Sequence, residues 1–154
     1  MTTQQNQTRD AVIALSPVQS TVQITKELSM AGYNRIDRVD YQESLIQTIQ
    51  NRKPHVVIIT SELPGRKTTA EIFAEITAAS PNTKIIFISK SIPEDAILDL
   101  YLATNLSAWL LSERAERTLS LAIEAAEAGQ LFIDFMISRA IRNLINEKQS
   151  MLTN

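Results

Sequence analysis

No cysteine occurs among the 154 residues, which excludes a disulfide framework, a thiolate metal site and a thiol redox switch. Histidine is almost as scarce: His55 is the single one, it precedes an apolar run, and neither a cysteine nor paired acids stand beside it. A catalytic triad or a metal cluster needs several such groups held together. Neither an enzyme nor a metal site is therefore expected, and His55 reads as a residue at the start of a strand that is satisfied locally. Glycine occurs three times, and the first candidate turn reads Leu15-Ser16-Pro17 rather than as a glycine-rich phosphate loop, so no nucleotide and no other cofactor is assigned.

Charge of one sign is also lacking. With 15 Lys and Arg against 17 Asp and Glu, the net charge of -2 gives no general basic field for gripping phosphates, and these residues alone make a poor nucleic-acid binder. No apolar run approaches the roughly 20 residues of a membrane-spanning helix. Residues 1–10, from Met1 to Asp10, lack the basic-then-apolar order of a signal peptide. Residues 1–9 read as a disordered polar tail on a cytoplasmic protein with no membrane partner. What the chain does have is a hydrophobic content of 44% with only five prolines, enough for one domain with a sizeable core.

Short apolar runs at residues 11–15, 35–39, 56–60, 85–89 and 108–111 alternate with longer helical patterns. Five such units predict a parallel sheet covered by helices on both faces. The first, third and fourth runs are continuously apolar, as strands buried on both faces are, whereas Arg35-Ile36-Asp37-Arg38-Val39 alternates and belongs at an exposed edge. The strand order this predicts is the flavodoxin-like 2-1-3-4-5 of a doubly wound three-layer α/β domain.

Helices are expected near residues 17–31, 41–52, 69–79, 93–104 and 115–128. Ser16 reads as an N-cap with Pro17 at the first helical position, where its missing N–H costs nothing. Ser91 with Glu94 has the spacing of a capping box, with Pro93 in the first turn, and Asp40 with Glu43 is a variant of it. Gly129 supplies a left-handed stop, with the β-like Leu131-Phe132-Ile133 beyond it. A sixth helix from about Asp134 to Lys148 carries Ile137, Ala140, Ile141, Leu144 and Ile145 at helical spacing. Two readings stand for it: the stripe folds back on its own domain, or it forms a signalling or dimer helix leading to a second domain.

From Ala11 to Gly129 the chain resembles the CheY-like receiver domain of bacterial response regulators. Ala128-Gly129-Gln130-Leu131-Phe132-Ile133, followed by a helix, is similar to the segment that leads out of the receiver in NarL/LuxR-type transcription regulators. Met151-Leu152-Thr153-Asn154 is similar to the opening of that family's helix-turn-helix domain. The resemblance implies a receiver-like domain over residues 10–129 and a linker helix over 130–154, leading towards a DNA-binding domain absent from this chain.

Family receivers place two acids after the first strand to bind magnesium, an acceptor aspartate after the third, a Ser or Thr after the fourth and a lysine after the fifth. The matching positions here are Leu15 and Ser16, Thr60, Ser89 and Ser112. Thr60 is neutral and far less suited than a carboxylate to attack a phosphohistidine. Magnesium needs carboxylate oxygens, and Glu62 is the only acid close by. Ser112 cannot supply the ammonium that would neutralise a phosphoryl group. Trp109 has the spacing of the family's switch aromatic, which moves inward as the Ser/Thr hydroxyl engages the phosphoryl group. That movement couples the site to the face of the fourth helix, fifth strand and fifth helix.

The resulting expectation is a phosphorylation-independent pseudo-receiver, the regulatory domain of a transcription regulator, acting as a homodimer or by docking a regulatory protein. The expected contact face comprises Asp95, Asp99, Leu100, Tyr101 and Trp109, with the two aspartates set against Arg114 and Arg117. Two alternatives accompany it. One is a ligand-sensing domain, with Thr60, Ser89 and Ser112 around a small-molecule pocket and Arg66, Lys67 and Lys90 attracting an anion; the other is a stand-alone adaptor.

Overall fold

The computed structural model describes residues 8–103 and 105–153. Most of the expected tail and the expected end of the fourth helix at Thr104 lie outside the described residues. Arg9, assigned to that tail, is tied down: its guanidinium donates to the Ala31 carbonyl at 3.1 Å, pairs with Glu127 and stacks over the Tyr33 ring.

The chain alternates strand and helix throughout. In order come β1 (Asp10–Ala14), α1 (Val22–Met30), β2 (Arg35–Val39), α2 (Gln42–Arg52), β3 (Val56–Thr60) and α3 (Thr69–Ala79). They are followed by β4 (Lys84–Ser89), α4 (Ile97–Tyr101), β5 (Leu106–Leu111), α5 (Ser112–Glu127), β6 (Phe132–Ile133) and α6 (Phe135–Thr153). All neighbouring strands are parallel, in the order β2-β1-β3-β4-β5-β6. The expected 2-1-3-4-5 order is present, with one addition: the β-like segment after Gly129 pairs through Phe132 and Ile133 with Ala108 and Trp109.

Successive side chains of a strand point to opposite faces, and the core divides accordingly. Val57, Ile59, Phe87, Trp109 and Leu111 face α2, α3, α4 and α6, and Ile58, Ile86, Ile88, Ala108 and Leu110 face α1 and α5. On the first face, Phe73 meets Phe87 edge-on at 5.2 Å, and Trp109 lies 5.6 Å beyond Phe87. β2 is the expected edge, with only Val39 fully buried.

Two helix starts differ from expectation. Pro17 and Val18 form a turn closed by the Gln19 N–H on the Ser16 carbonyl at 3.1 Å, and α1 begins five residues later, after Thr21. The Ser91–Glu94 capping box does not form, and α4 shrinks to five residues behind Ala96. Had Ser91 been the cap, Ile92 would have been the first helical residue and also the residue before Pro93, where the proline ring disfavours helical backbone. Ile92 instead packs against the core, and the turn closes on the Pro93 carbonyl. Asp40 caps nothing, since Tyr41 flanks α2 without a side-chain cap bond. The capping box that does form is Thr68 with Glu71, at the start of α3.

Gly129, at φ +70°, ends α5 with Gln130 N–H on the Ala125 carbonyl at 2.8 Å, the paired geometry of a left-handed stop. α6 then turns back onto the domain. Ile137 and Ile141 are buried in the core beside α4, with Ala140 and Leu144 packed at its rim. No helix among the described residues is long and apolar enough to cross a membrane.

Candidate functional site

The carboxyl ends of parallel strands converge where chain direction brings the following loops together. Here β1, β3, β4 and β5 deliver Leu15 and Ser16, Thr60, Ser89, and Ser112. Each hydroxyl position is distinct in what it touches. Thr60, 6% exposed, donates from its Oγ1 to Gln19 Oε1 at 3.0 Å, and the same oxygen accepts the Ser16 N–H at 3.0 Å. Gln19 thus bridges the ends of β1 and β3. The Ser16 hydroxyl is buried without a hydrogen-bond partner among the described residues. On the other side of Ser16, the Arg38 guanidinium donates to its carbonyl at 2.7 Å, so a cation lies against the β1 loop.

The second cluster joins β4 to β5 and α5. The Trp109 indole N–H donates to Ser89 Oγ at 2.9 Å, and Ser112 Oγ donates to the Ser89 carbonyl at 3.2 Å. Trp109 is 0% exposed and Ser89 is 1% exposed. The serine hydroxyl is therefore taken by the indole, and the ring is held inside the molecule. Ser61, after Thr60, accepts the Lys90 N–H on its hydroxyl at 3.2 Å, linking the β3 and β4 loops. Glu62 is exposed.

Leu15, Gln19, Thr60 and Ser112 border an open cavity of about 430 Å³ between α1 and α5, whose floor is completed by Ile88 and Leu119. Its only charged lining residue is Glu116. Arg66 and Lys67, expected beside this site, instead line a larger hollow of about 710 Å³ between α2 and α3. There the Gln42 amide clamps the loop, accepting the Lys67 N–H and donating to the Lys67 carbonyl, both at 3.0 Å. Lys67 itself pairs with Glu75 at 2.5 Å.

The expected contact face is divided between core and surface. Leu100, at 1% exposure, and Trp109 are core residues, so neither offers apolar contact to another molecule; Asp95 and Asp99 are exposed and Tyr101 is half-buried. Arg114 is committed within the chain: its Nε and Nη2 donate to the two Asp134 oxygens at 2.8 Å each, and its guanidinium stacks on Phe135 at 4.8 Å. Arg117 remains exposed. Asp134 also accepts the Met136 N–H at 2.8 Å, and its own N–H donates to the Trp109 carbonyl at 2.9 Å. The residue thus fastens α6 to α5 and β5 together. His55 accepts the Asp10 N–H on Nδ1 at 3.2 Å, the local satisfaction its position suggested.

Gln19, Arg38 and Asp134 are the residues sequence reasoning passed over. Gln19 had a signal, because Ser16-x-x-Gln19 is the spacing at which a side chain reaches back to an N-cap N–H. Arg38 and Asp134 had none, since their partners are 22 and 20 residues away.

No family model matches the chain, and no curated protein matches it. Solved structures do. The isolated receiver domain of the response regulator RcsB from Salmonella enterica serovar Typhimurium, in the presence of a phosphomimetic, superposes with a TM-score of 0.74 at 20% identity, over 87% of this chain and 99% of that one. RcsB from the same organism bound to a promoter gives a TM-score of 0.76 at 21% identity, over 92% of this chain and 70% of that one. The receiver domain of a modulated diguanylate cyclase from Desulfovibrio desulfuricans G20 gives 0.65 at 22% identity, over 78% of this chain and 94% of that one. The fold is that of the receiver domains.

Proposed function

We propose that this chain is a receiver-type regulatory domain that works without phosphoryl transfer, by joining a second copy of itself or docking a protein partner. The observation that supports this best is the occupation of the strand ends. Magnesium requires carboxylate oxygens, whereas the groups hydrogen-bonded at the strand ends are an amide, hydroxyls and the Arg38 cation, with a single carboxylate, Glu116, lining the cavity beside them and Glu62 exposed. In the receivers the chain resembles, the switch ring turns inward when a phosphoryl group engages the hydroxyl. Here the indole N–H engages Ser89 directly, so the inward position requires no phosphoryl group. The likeness to promoter-bound RcsB supports a place in a transcription regulator, with α6 as the linker and DNA contact made by a domain C-terminal to it.

The experiment is to incubate the protein with acetyl phosphate and magnesium and read both intact mass and solution mass. Unchanged intact mass and unchanged association are expected. A phosphoryl adduct accompanied by a change in association would overturn the proposal. A second reading is favoured by the 430 Å³ cavity, whose predominantly apolar floor and lack of basic lining residues suit a neutral small molecule rather than the anion that Arg66 and Lys67 first suggested.

A further inference from the structure

The Gln19 amide is fixed in one orientation. Its Oε1 accepts the Ser16 N–H at 3.0 Å, and a backbone N–H can only donate, so the amide cannot exchange its oxygen and nitrogen without losing that bond. The Thr60 hydroxyl donates to the same oxygen at 3.0 Å. Nε2 is left with both of its N–H groups unpartnered among the described residues, and the atom is accessible. Gln19 borders the cavity of about 430 Å³ between α1 and α5.

Three further polar groups of the cavity wall offer acceptors. Gln23 donates its own Nε2 to Glu27 at 3.2 Å, which leaves its amide oxygen unclaimed. Ser112 gives its hydroxyl proton to the Ser89 carbonyl at 3.2 Å and keeps its lone pairs. Glu116, one turn further along α5, is exposed, and no ion pair or hydrogen bond engages it among the described residues. The cavity therefore presents one pair of N–H donors, several acceptors and a single charge, which is negative.

We infer that the cavity takes a small uncharged ligand with an amide-type head, a carbonyl acceptor and N–H donors on one group, carried on an apolar body. The carbonyl accepts from Gln19 Nε2, the N–H donors go to the acceptors on α5, and the body lies on the floor of Ile88 and Leu119. A carboxylate head would approach Glu116 with no cation lining the cavity to balance it. An ammonium head offers no acceptor to the Gln19 N–H pair, which would stay unpaired as water is displaced. This inference rests on the second reading above, the small-molecule cavity, and names the polar head of its ligand.

The test titrates the full chain with benzamide, benzoate and benzylamine, which share one ring and differ in the head, and follows the Gln19 side-chain amide and the backbone amides of Ile88 and Leu119 by NMR. Benzamide is expected to shift these signals and to bind at least about 10-fold more tightly than either charged probe. Gln19→Glu keeps an oxygen for the Ser16 N–H and replaces only the N–H pair, so it should weaken benzamide at least about 10-fold and strengthen benzylamine. Glu116→Lys, at an exposed position, should strengthen benzoate instead. Benzoate or benzylamine binding the wild-type cavity as tightly as benzamide, or benzamide binding unchanged by Gln19→Glu, would overturn the inference and leave the cavity a ligand site of other chemistry. No shift at the cavity with any of the three probes would overturn both the inference and the small-molecule reading.

Discussion

Trp109 carries a hydrogen-bond donor into a core otherwise built of aliphatic and phenyl groups, and the Ser89 hydroxyl accepts it. A buried donor left without an acceptor costs about 1–3 kcal/mol. Ser89→Ala should therefore lower unfolding free energy by about that amount, read as a lower denaturant midpoint at unchanged slope. An unchanged midpoint would mean that the bond contributes nothing. The positions of Leu15, Thr60, Ser89 and Ser112 were legible because apolar strands announce where they end. Of their partners, Gln19 was within reach of the Ser16-x-x-Gln19 spacing, whereas the reach of Arg38 to the Ser16 carbonyl depends on how the loops fold over the strand ends, which no local pattern encodes.

Among the elements, α6 is the one whose placement decides the most. Sequence periodicity identified its apolar stripe and left open whether the helix folds back or projects. The structure does both in succession: Ile137 and Ile141 are seated, and the last turns stand clear. Asp134 sets the seated half. Burial alone would raise its pKa, but the two hydrogen bonds from Arg114 and that from the Met136 N–H outweigh burial and hold the carboxyl below the usual aspartate range.

A carboxyl whose value is lowered by folding contributes stability above its unfolded value, about 3.9, and loses it as pH falls through the lower folded value. Seating of α6 should therefore be pH-independent near neutrality and weaken only well into acid. Asp134→Asn should remove that acid dependence, and at neutral pH it should speed hydrogen exchange at the Ile137 and Ile141 amides relative to those of β3. Equal exchange in both proteins would show that apolar packing alone seats the helix.

The starts of α1 and α4 show the opposite limit of element-scale reading. Ser16 and Ser91 carry the right residue types for caps, yet each pattern yields to a competing demand: the Gln19 bridge at one, and the restriction that Pro93 places on Ile92 at the other. The box at Thr68 and Glu71 had the same spacing and nothing opposing it.

At the scale of the whole molecule, the doubly wound order was readable from five strand–helix units, since right-handed crossovers leave few ways to bury apolar strands on both faces. The sixth strand was harder to place because two residues beside β5 form no periodic pattern, although they determine where α6 begins. One chain of contacts therefore runs from the strand ends to the outer face: Ser112 and Trp109 to Ser89, Trp109 to Asp134, and Asp134 to Arg114 and α6. In this account the chain is held in one arrangement by its own side chains, without a phosphoryl group.

Trp109 is the only tryptophan, so its indole N–H gives a single resonance to follow. The decisive measurement is that resonance and its hydrogen exchange, recorded before and after addition of acetyl phosphate and magnesium. The account predicts one slowly exchanging signal that does not move. A second signal, or a shift and loss of protection on adding the phosphodonor, would contradict it.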